Sequence, residues 1–253
     1  MNTTNEHPTS VQISNTEYLR IMIHIVYKSE NHYHHSVTNL FGIRCKIKLD
    51  IMLAEKMNIF VRHIYKKRAK RYDLTAQLYY LFGFREWAYR KRAVEKLKLK
   101  DGDTVVEIGC GTGLNFALIQ KIIGENGKII GVDITKEMLK EAEKRVKENN
   151  WKNVELINAD AAEFAPSESV DGIITSFAIS LSPNLETILQ NYFDILKPGS
   201  NFVVLDLKVP GNFWGRFKFL FLPIVKPFAV TDYHIKQKPW MTIIRFFNKN
   251  LYK

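Results

Sequence analysis

The stretch TVVEIGCGTGLNF, Thr104 to Phe116, carries an apolar strand into an acid and then into three alternating glycines before a helix begins. Thr104, Val105, Val106 and Ile108 form the short β-branched run that a parallel sheet buries on both faces. Gly109, Gly111 and Gly113 open backbone conformations closed to other residues and bring main-chain amides close to a ligand that side chains would hold off. The pattern predicts a helix from about Leu114 to Ile123, stopped by Gly124, whose N-terminus favours an anionic group at the same point. A nucleotide-type cofactor site at a strand end follows.

Spacing narrows the choice. A dinucleotide loop uses G-x-G-x-x-G/A so that a third small residue lets the helix approach a pyrophosphate. Here that third position is Leu114 counted from Gly109, or Phe116 counted from Gly111, so the loop reads G-x-G-x-G. No Lys-Ser or Lys-Thr pair follows the glycines, which excludes a P-loop. Two further acids end the next apolar runs. Asp133 closes KIIGVD, where its two oxygens could accept both hydroxyls of a ribose, and Asp160, followed by Ala161, closes the run that contains VELIN. On residues alone two alternatives stay open: a plain glycine turn with Asp133 and Asp160 as helix caps, and a nicotinamide or flavin site.

From Asp101 onward the order is strand, helix, strand, helix, strand, strand, helix, strand, which predicts an α/β fold, Rossmann-like and doubly wound, with a mainly parallel sheet and helices on both faces. Thr135 caps a predicted helix with Met138, Leu139, Ala142 and Val146 on one side, running to about Asn150. Leu185, Ile188, Leu189, Tyr192, Phe193 and Leu196 make a second amphipathic face, ended by Lys197, Pro198 and Gly199. VDGIITSFA supplies the fourth strand, placing Ser176 and Phe177 at its ligand-facing end, and NFVVLDL the fifth, with Asp206 near its end. In open parallel sheets ligands bind at these carboxyl ends.

At 253 residues with 46% hydrophobic content, the chain can bury one substantial core. No run approaches the ~18 apolar residues of a membrane span, and MNTTNEHPTS is not a signal peptide, so a cytoplasmic protein is expected. Cys45 and Cys110 fit a reducing compartment, with Cys110 a small loop residue and no nucleophile. The net charge of +11 is concentrated: residues 56 to 100 hold fourteen Lys and Arg against three Asp and Glu. Such a block suits nucleic acid, anionic lipid headgroups or a solvated helix face. His32, His34 and His35 cluster without a cysteine or paired carboxylate, and no metal site is assigned.

The acid followed by G-x-G-x-G resembles motif I of the class I S-adenosylmethionine-dependent methyltransferases. The resemblance implies that Glu107 holds the amino-acid end of the cofactor, directly or through water, that Asp133 takes the ribose, and that Asp160 lies beside the adenine. It places around S-adenosyl-L-methionine the residues Tyr72, Glu107, Gly109, Cys110, Gly111, Thr112, Gly113, Asp133, Ile134, Met138, Asp160, Ala161 and Ser176. A narrower likeness lies in RYDLTAQLYYLFGFREW, which resembles the N-terminal signature of the ubiquinone/menaquinone C-methyltransferase family. Tyr72, Asp73 and Trp87 match in type and spacing, whereas Thr75, Ala76, Tyr80 and Phe84 stand where that family has Met, Asn, Ser and His. In DILKPGSNFVVLDLK, Ile195, Leu196, Lys197, Pro198, Gly199 and Phe202 agree, while Ser200, Asp206 and Lys208 depart. The likeness covers about residues 57 to 240, and the core is equally similar to that of lipid headgroup N-methyltransferases.

Both families imply a small lipophilic acceptor, a quinone precursor or a lipid headgroup, and carbon or nitrogen methylation. The segment GNFWGRFKFLFLPIVKPF interleaves aromatic and basic residues, as a lid over an acceptor pocket or a peripheral contact with the inner face of the membrane would. Four regions result: an N-terminal extension over 1–56, disordered or an overlong gene start; a basic helical segment over 57–100; the cofactor-binding core over 101–209; and the aromatic and basic segment over 210–253. Relatives close the sheet with a C-terminal antiparallel hairpin. This chain offers TIIRFF as its one candidate strand there, so an incomplete hairpin, an exposed sheet edge and a thinner core are expected. Nucleic-acid methylation is the alternative activity, disfavoured because SFAISLSPN stands where an N/D-P-P-Y/F motif would lie, and a non-catalytic cofactor-binding relic is the alternative outside catalysis. Asp73, Tyr80 and His234 are conceivable helpers, and no catalytic residue is assigned.

Overall fold

The computed structural model describes residues 22–28, 43–74, 85–208 and 237–250. Five strands run parallel, β2 (Thr104–Ile108), β3 (Lys128–Asp133), β4 (Val154–Asn158), β5 (Val170–Ser176) and β6 (Leu196–Leu207), and one, β1 (Met22–Lys28), runs against them. Their order across the sheet is β1-β6-β5-β2-β3-β4. The chain direction therefore switches between β2 and β5, the place where such sheets open a crevice at their carboxyl ends.

The α-helices are α1 (Ile43–Arg68), α2 (Glu86–Lys96), α3 (Phe116–Ile123), α4 (Lys136–Glu148), α5 (Leu185–Asp194) and α6 (Pro239–Asn250), with short 3-10 turns at Ala69–Arg71 and Ile179–Leu181. Alternation along each strand sends residues to opposite faces. Val106, Ile108, Ile173, Phe202 and Val204 pack with α5 and α6, whereas Val105, Ile129, Ile174, Val203 and Leu205 pack with α2, α3 and α4. Two apolar layers thus clamp one sheet, as the strand and helix order predicts.

Several boundaries shift from expectation. α3 begins at Phe116, not near Leu114, because Gly113 to Asn115 are still turning, and α5 ends at Asp194, so Leu196 opens β6 instead of closing the helix. Thr135 holds the N-cap position of α4 without a side-chain cap bond; the carboxylate of Asp133 accepts the Thr135 amide instead.

The edge of the sheet is the larger difference. TIIRFF lies within a helix: Trp240, Ile243 and Phe247 recur at helical spacing and are buried against Phe202 and Tyr192, and Pro239 occupies the first helical position, where its missing N–H costs nothing. The outer edge of β6 is nevertheless paired. β1 lies antiparallel along it, from Met22 opposite Leu207 to Lys28 opposite Asn201. Part of the expected N-terminal extension is therefore a sheet strand, and α1 makes residues 43–56 helical as well. His32, His34, His35, Cys45's side chain, Tyr80, His234 and the aromatic segment 211–228 lie outside the described residues.

Candidate active site

Glu107 sits at the C-terminal end of β2, 1% exposed. Its Oε1 accepts a hydrogen bond from Asn115 Nδ2 at 2.8 Å, and the same amide nitrogen donates to Ser176 Oγ at 2.9 Å. Arg90 Nη1 donates to Asn115 Oδ1 at 3.2 Å, and its Nε and Nη2 reach Glu86 Oε1 at 2.8 and 2.7 Å. The guanidinium also lies over the Phe177 ring, 5.4 Å from its centroid. Burial pushes the Glu107 carboxyl up to about 8, against the pull of Arg90 and Asn115. Among the described residues its Oε2 is buried without a partner, a costly state.

The glycine loop turns tightly above this network. Gly109 has φ +65°, and a Cβ there would lie 2.3 Å from Ala178 Cβ, so both backbone and neighbours demand glycine. The loop amides are already engaged: those of Gly109 and Cys110 donate to Val132 O, and that of Gly111 donates to Asp133 Oδ2 at 2.8 Å. The expected amide cradle for a ligand is therefore absent at these three positions, which disfavours a phosphate-bearing cofactor. Burial raises the Cys110 thiol well above its ordinary range, so it stays protonated and poorly nucleophilic.

Asp133 accepts two backbone amides, from Gly111 at Oδ2 and from Thr135 at Oδ1. A carboxylate offers roughly four lone-pair positions, so capacity for a diol remains. Burial raises its carboxyl against these two bonds. Asp160 follows β4, accepting from the Ala162 amide at 2.9 Å and from Asn58 Nδ2 at 2.6 Å. α1 thus crosses above the strand ends, and Asn58, Val61 and Tyr65 line the same cleft as the glycine loop.

That cleft opens at the carboxyl ends of the strands and holds about 870 Å³ of empty space, open solvent at its mouth included. Of the residues expected around a cofactor, Tyr72, Gly109, Cys110, Gly111, Thr112, Asp133, Ile134, Met138, Asp160, Ala161 and Ser176 line it. Glu107 and Gly113 do not; Glu107 lies behind the loop and Gly113 is packed on the Phe116 ring. Sequence reasoning missed Asn58, Val61, Tyr65 and Arg90, which come from helices with no motif; Phe177, expected at the ligand-facing end of β5, does line the cleft, and its φ of +56° marks a strained turn there. Asp73 accepts from Thr112 Oγ1 at 2.6 Å and pairs with Arg145, whose Nε donates to Thr112 O at 2.8 Å. It fastens the loop to α4.

A ribose would answer Asp133, and the amides of Gly109, Cys110 and Gly111 are already taken, leaving none of those three for a phosphate. The residues fit S-adenosylmethionine, and the protein is an S-adenosylmethionine-dependent methyltransferase of class I. The sequence profile of the ubiE/COQ5 methyltransferase family matches residues 52–229, and the chain belongs to that family. It is 29% identical to a demethylmenaquinone methyltransferase of Symbiobacterium thermophilum over 184 residues, 70% of this chain and 72% of that protein. A demethylmenaquinone methyltransferase of Oceanobacillus iheyensis is 25% identical over 188 residues, 72% and 77% of the two chains. Among solved structures, an S-adenosylmethionine-dependent methyltransferase from Aquifex aeolicus aligns with TM-score 0.45 and 26% identity, over 49% of this chain and 66% of that one. Among the described residues no helix is long and apolar enough to cross a membrane, and no cluster of potential metal ligands occurs.

Proposed function

We propose that the enzyme methylates a ring carbon of a reduced quinone precursor. Family membership carries the reading, supported by relatives that bear the name demethylmenaquinone methyltransferase. When bound, S-adenosylmethionine supplies a methyl group on a positively charged sulfur, open to in-line attack by a nucleophilic carbon.

The chain's own contribution is alignment and exclusion of water. Glu107 and Asn115 lie buried behind the glycine loop and brace Arg90, the one cation among the described lining residues, which is placed to meet a carboxylate. Asp133, held rigid by two amides, takes the ribose hydroxyls, and Asp160 takes the purine edge. Met138, Ile134 and Leu181 supply apolar walls.

The acceptor approaches from the β5 and β6 ends. A second cavity, lined by Ser180 to Thr187 together with Gln237, Pro239 and Thr242, shares Leu181 and Ser182 with the cofactor cleft. Asp206 braces that shared wall: it accepts from the Ser180 amide at 3.1 Å and from Ser180 Oγ at 2.9 Å, and burial pushes its carboxyl up to about 6. A labelled-methyl assay on total lipid extract tests the proposal. Label in a quinone fraction supports it, label in an aminolipid fraction replaces the acceptor with a lipid headgroup, and binding without transfer to any fraction removes the proposed turnover.

A further inference from the structure

Helix α1 lies outside the doubly wound core, yet it sets a polar side chain on the acid at the β4 end of the cleft. Asn58 Nδ2 donates to Asp160 Oδ2 across 102 residues of sequence, while the Ala162 amide donates to Oδ1. The carboxylate is held from both sides. α1 is fastened in this pose by Tyr65, whose ring packs 5.9 Å from that of Tyr72, and by Lys66, whose Nζ lies 3.5 Å from Glu137 Oε1. Having given one N–H to Asp160, the Asn58 amide keeps a second N–H and its carbonyl Oδ1. Neither has a partner among the described residues, and the side chain lines the cleft beside Asp160 and Ala161.

We infer that Asn58 recognises the 6-amino edge of the cofactor's purine, its carbonyl forming, with the carboxylate it orients, a pair of acceptors at that end of the cleft. The inference rests on reading the cleft as the S-adenosylmethionine site with adenine at Asp160. An exocyclic amine carries two N–H groups and can satisfy both acceptors. A 6-oxo purine sets an acceptor against those two acceptors and moves its donor to N1, a mismatch at the 6-position that sites built for a donor there reject. Val61, Ile134 and Ala161, the apolar lining residues nearby, cannot make that distinction.

Calorimetry of S-adenosylhomocysteine and of its 6-oxo counterpart, S-inosylhomocysteine, with the full chain and with Asn58→Leu tests the inference. The wild type should prefer the adenosyl ligand by about 100-fold or more. Asn58→Leu should weaken that ligand about tenfold, leave the inosyl ligand unchanged, and so shrink the preference about tenfold. Asn58→Ser, which removes the amide without adding apolar bulk, should give the same ratio, and thermal melting of both variants confirms folding. Equal weakening of both ligands makes Asn58 merely structural and overturns the inference. Tighter binding by the variants overturns it too, since the Asn58 to Asp160 bond would then bar the purine. A wild type that binds neither ligand removes the cofactor site itself, an outcome distinct from an unchanged ratio.

Discussion

Replacing Glu107 by Gln should make the protein more stable at alkaline pH while leaving it nearly unchanged in acid. The carboxyl is buried, one oxygen has no partner among the described residues, and burial moves its titration from an ordinary 4.5 to about 8. Between those values the folded chain holds a proton that the unfolded chain has released. Stability therefore falls as pH rises through that window, and the loss is complete above about pH 8. At 1.36 kcal/mol per unit, the wild type should lose on the order of 3–5 kcal/mol relative to the variant. Gln keeps an acceptor for Asn115 and exchanges one unpartnered oxygen for an amide nitrogen, so little else changes. Denaturant unfolding of both proteins at about pH 5 and about pH 9 gives the comparison, in which other titrating groups such as Asp206 cancel. If the two stability curves run parallel across that range, Glu107 is ionised in the folded state and the picture of a desolvated, half-satisfied acid is wrong.

Gly109→Ala combines a φ of +65° with a contact of 2.3 Å to Ala178, and should cost on the order of 3 kcal/mol, read by denaturant unfolding. Phe247→Ala empties a site at 0% exposure where the ring meets Phe202 edge-on at 5.4 Å, and should cost about 3–5 kcal/mol. A loss under about 1 kcal/mol would mean that α6 is not part of the core.

The strand ends were legible because their information is local. Glu107, Asp133 and Asp160 each close an apolar run, and the glycines lie within the same thirteen-residue stretch that reveals β2 and α3. α1's place above the cleft was not, since the bond from Asn58 to Asp160 joins residues whose separation leaves no periodic trace. Arg90 reads as one more cation in a basic run, and its role emerges only when α2 packs on the sheet and sets it between Glu86 and Asn115. TIIRFF misleads because β-branched and aromatic residues favour strands, while the wider spacing of Trp240, Ile243 and Phe247 carries the helix. MIHIVYK had a strand's composition, with Ile23, Ile25 and Tyr27 at alternate positions, but nothing in it names β6 as its partner.

The binding site is tested most directly by titrating S-adenosylhomocysteine into the wild type and into Asp133→Ala by calorimetry. One-site binding is expected for the wild type, and removal of the ribose-facing carboxylate should weaken it roughly 10- to 100-fold. A wild type that takes up no ligand, or a variant that binds as tightly as the wild type, would contradict the placement of the cofactor among these strand-end acids.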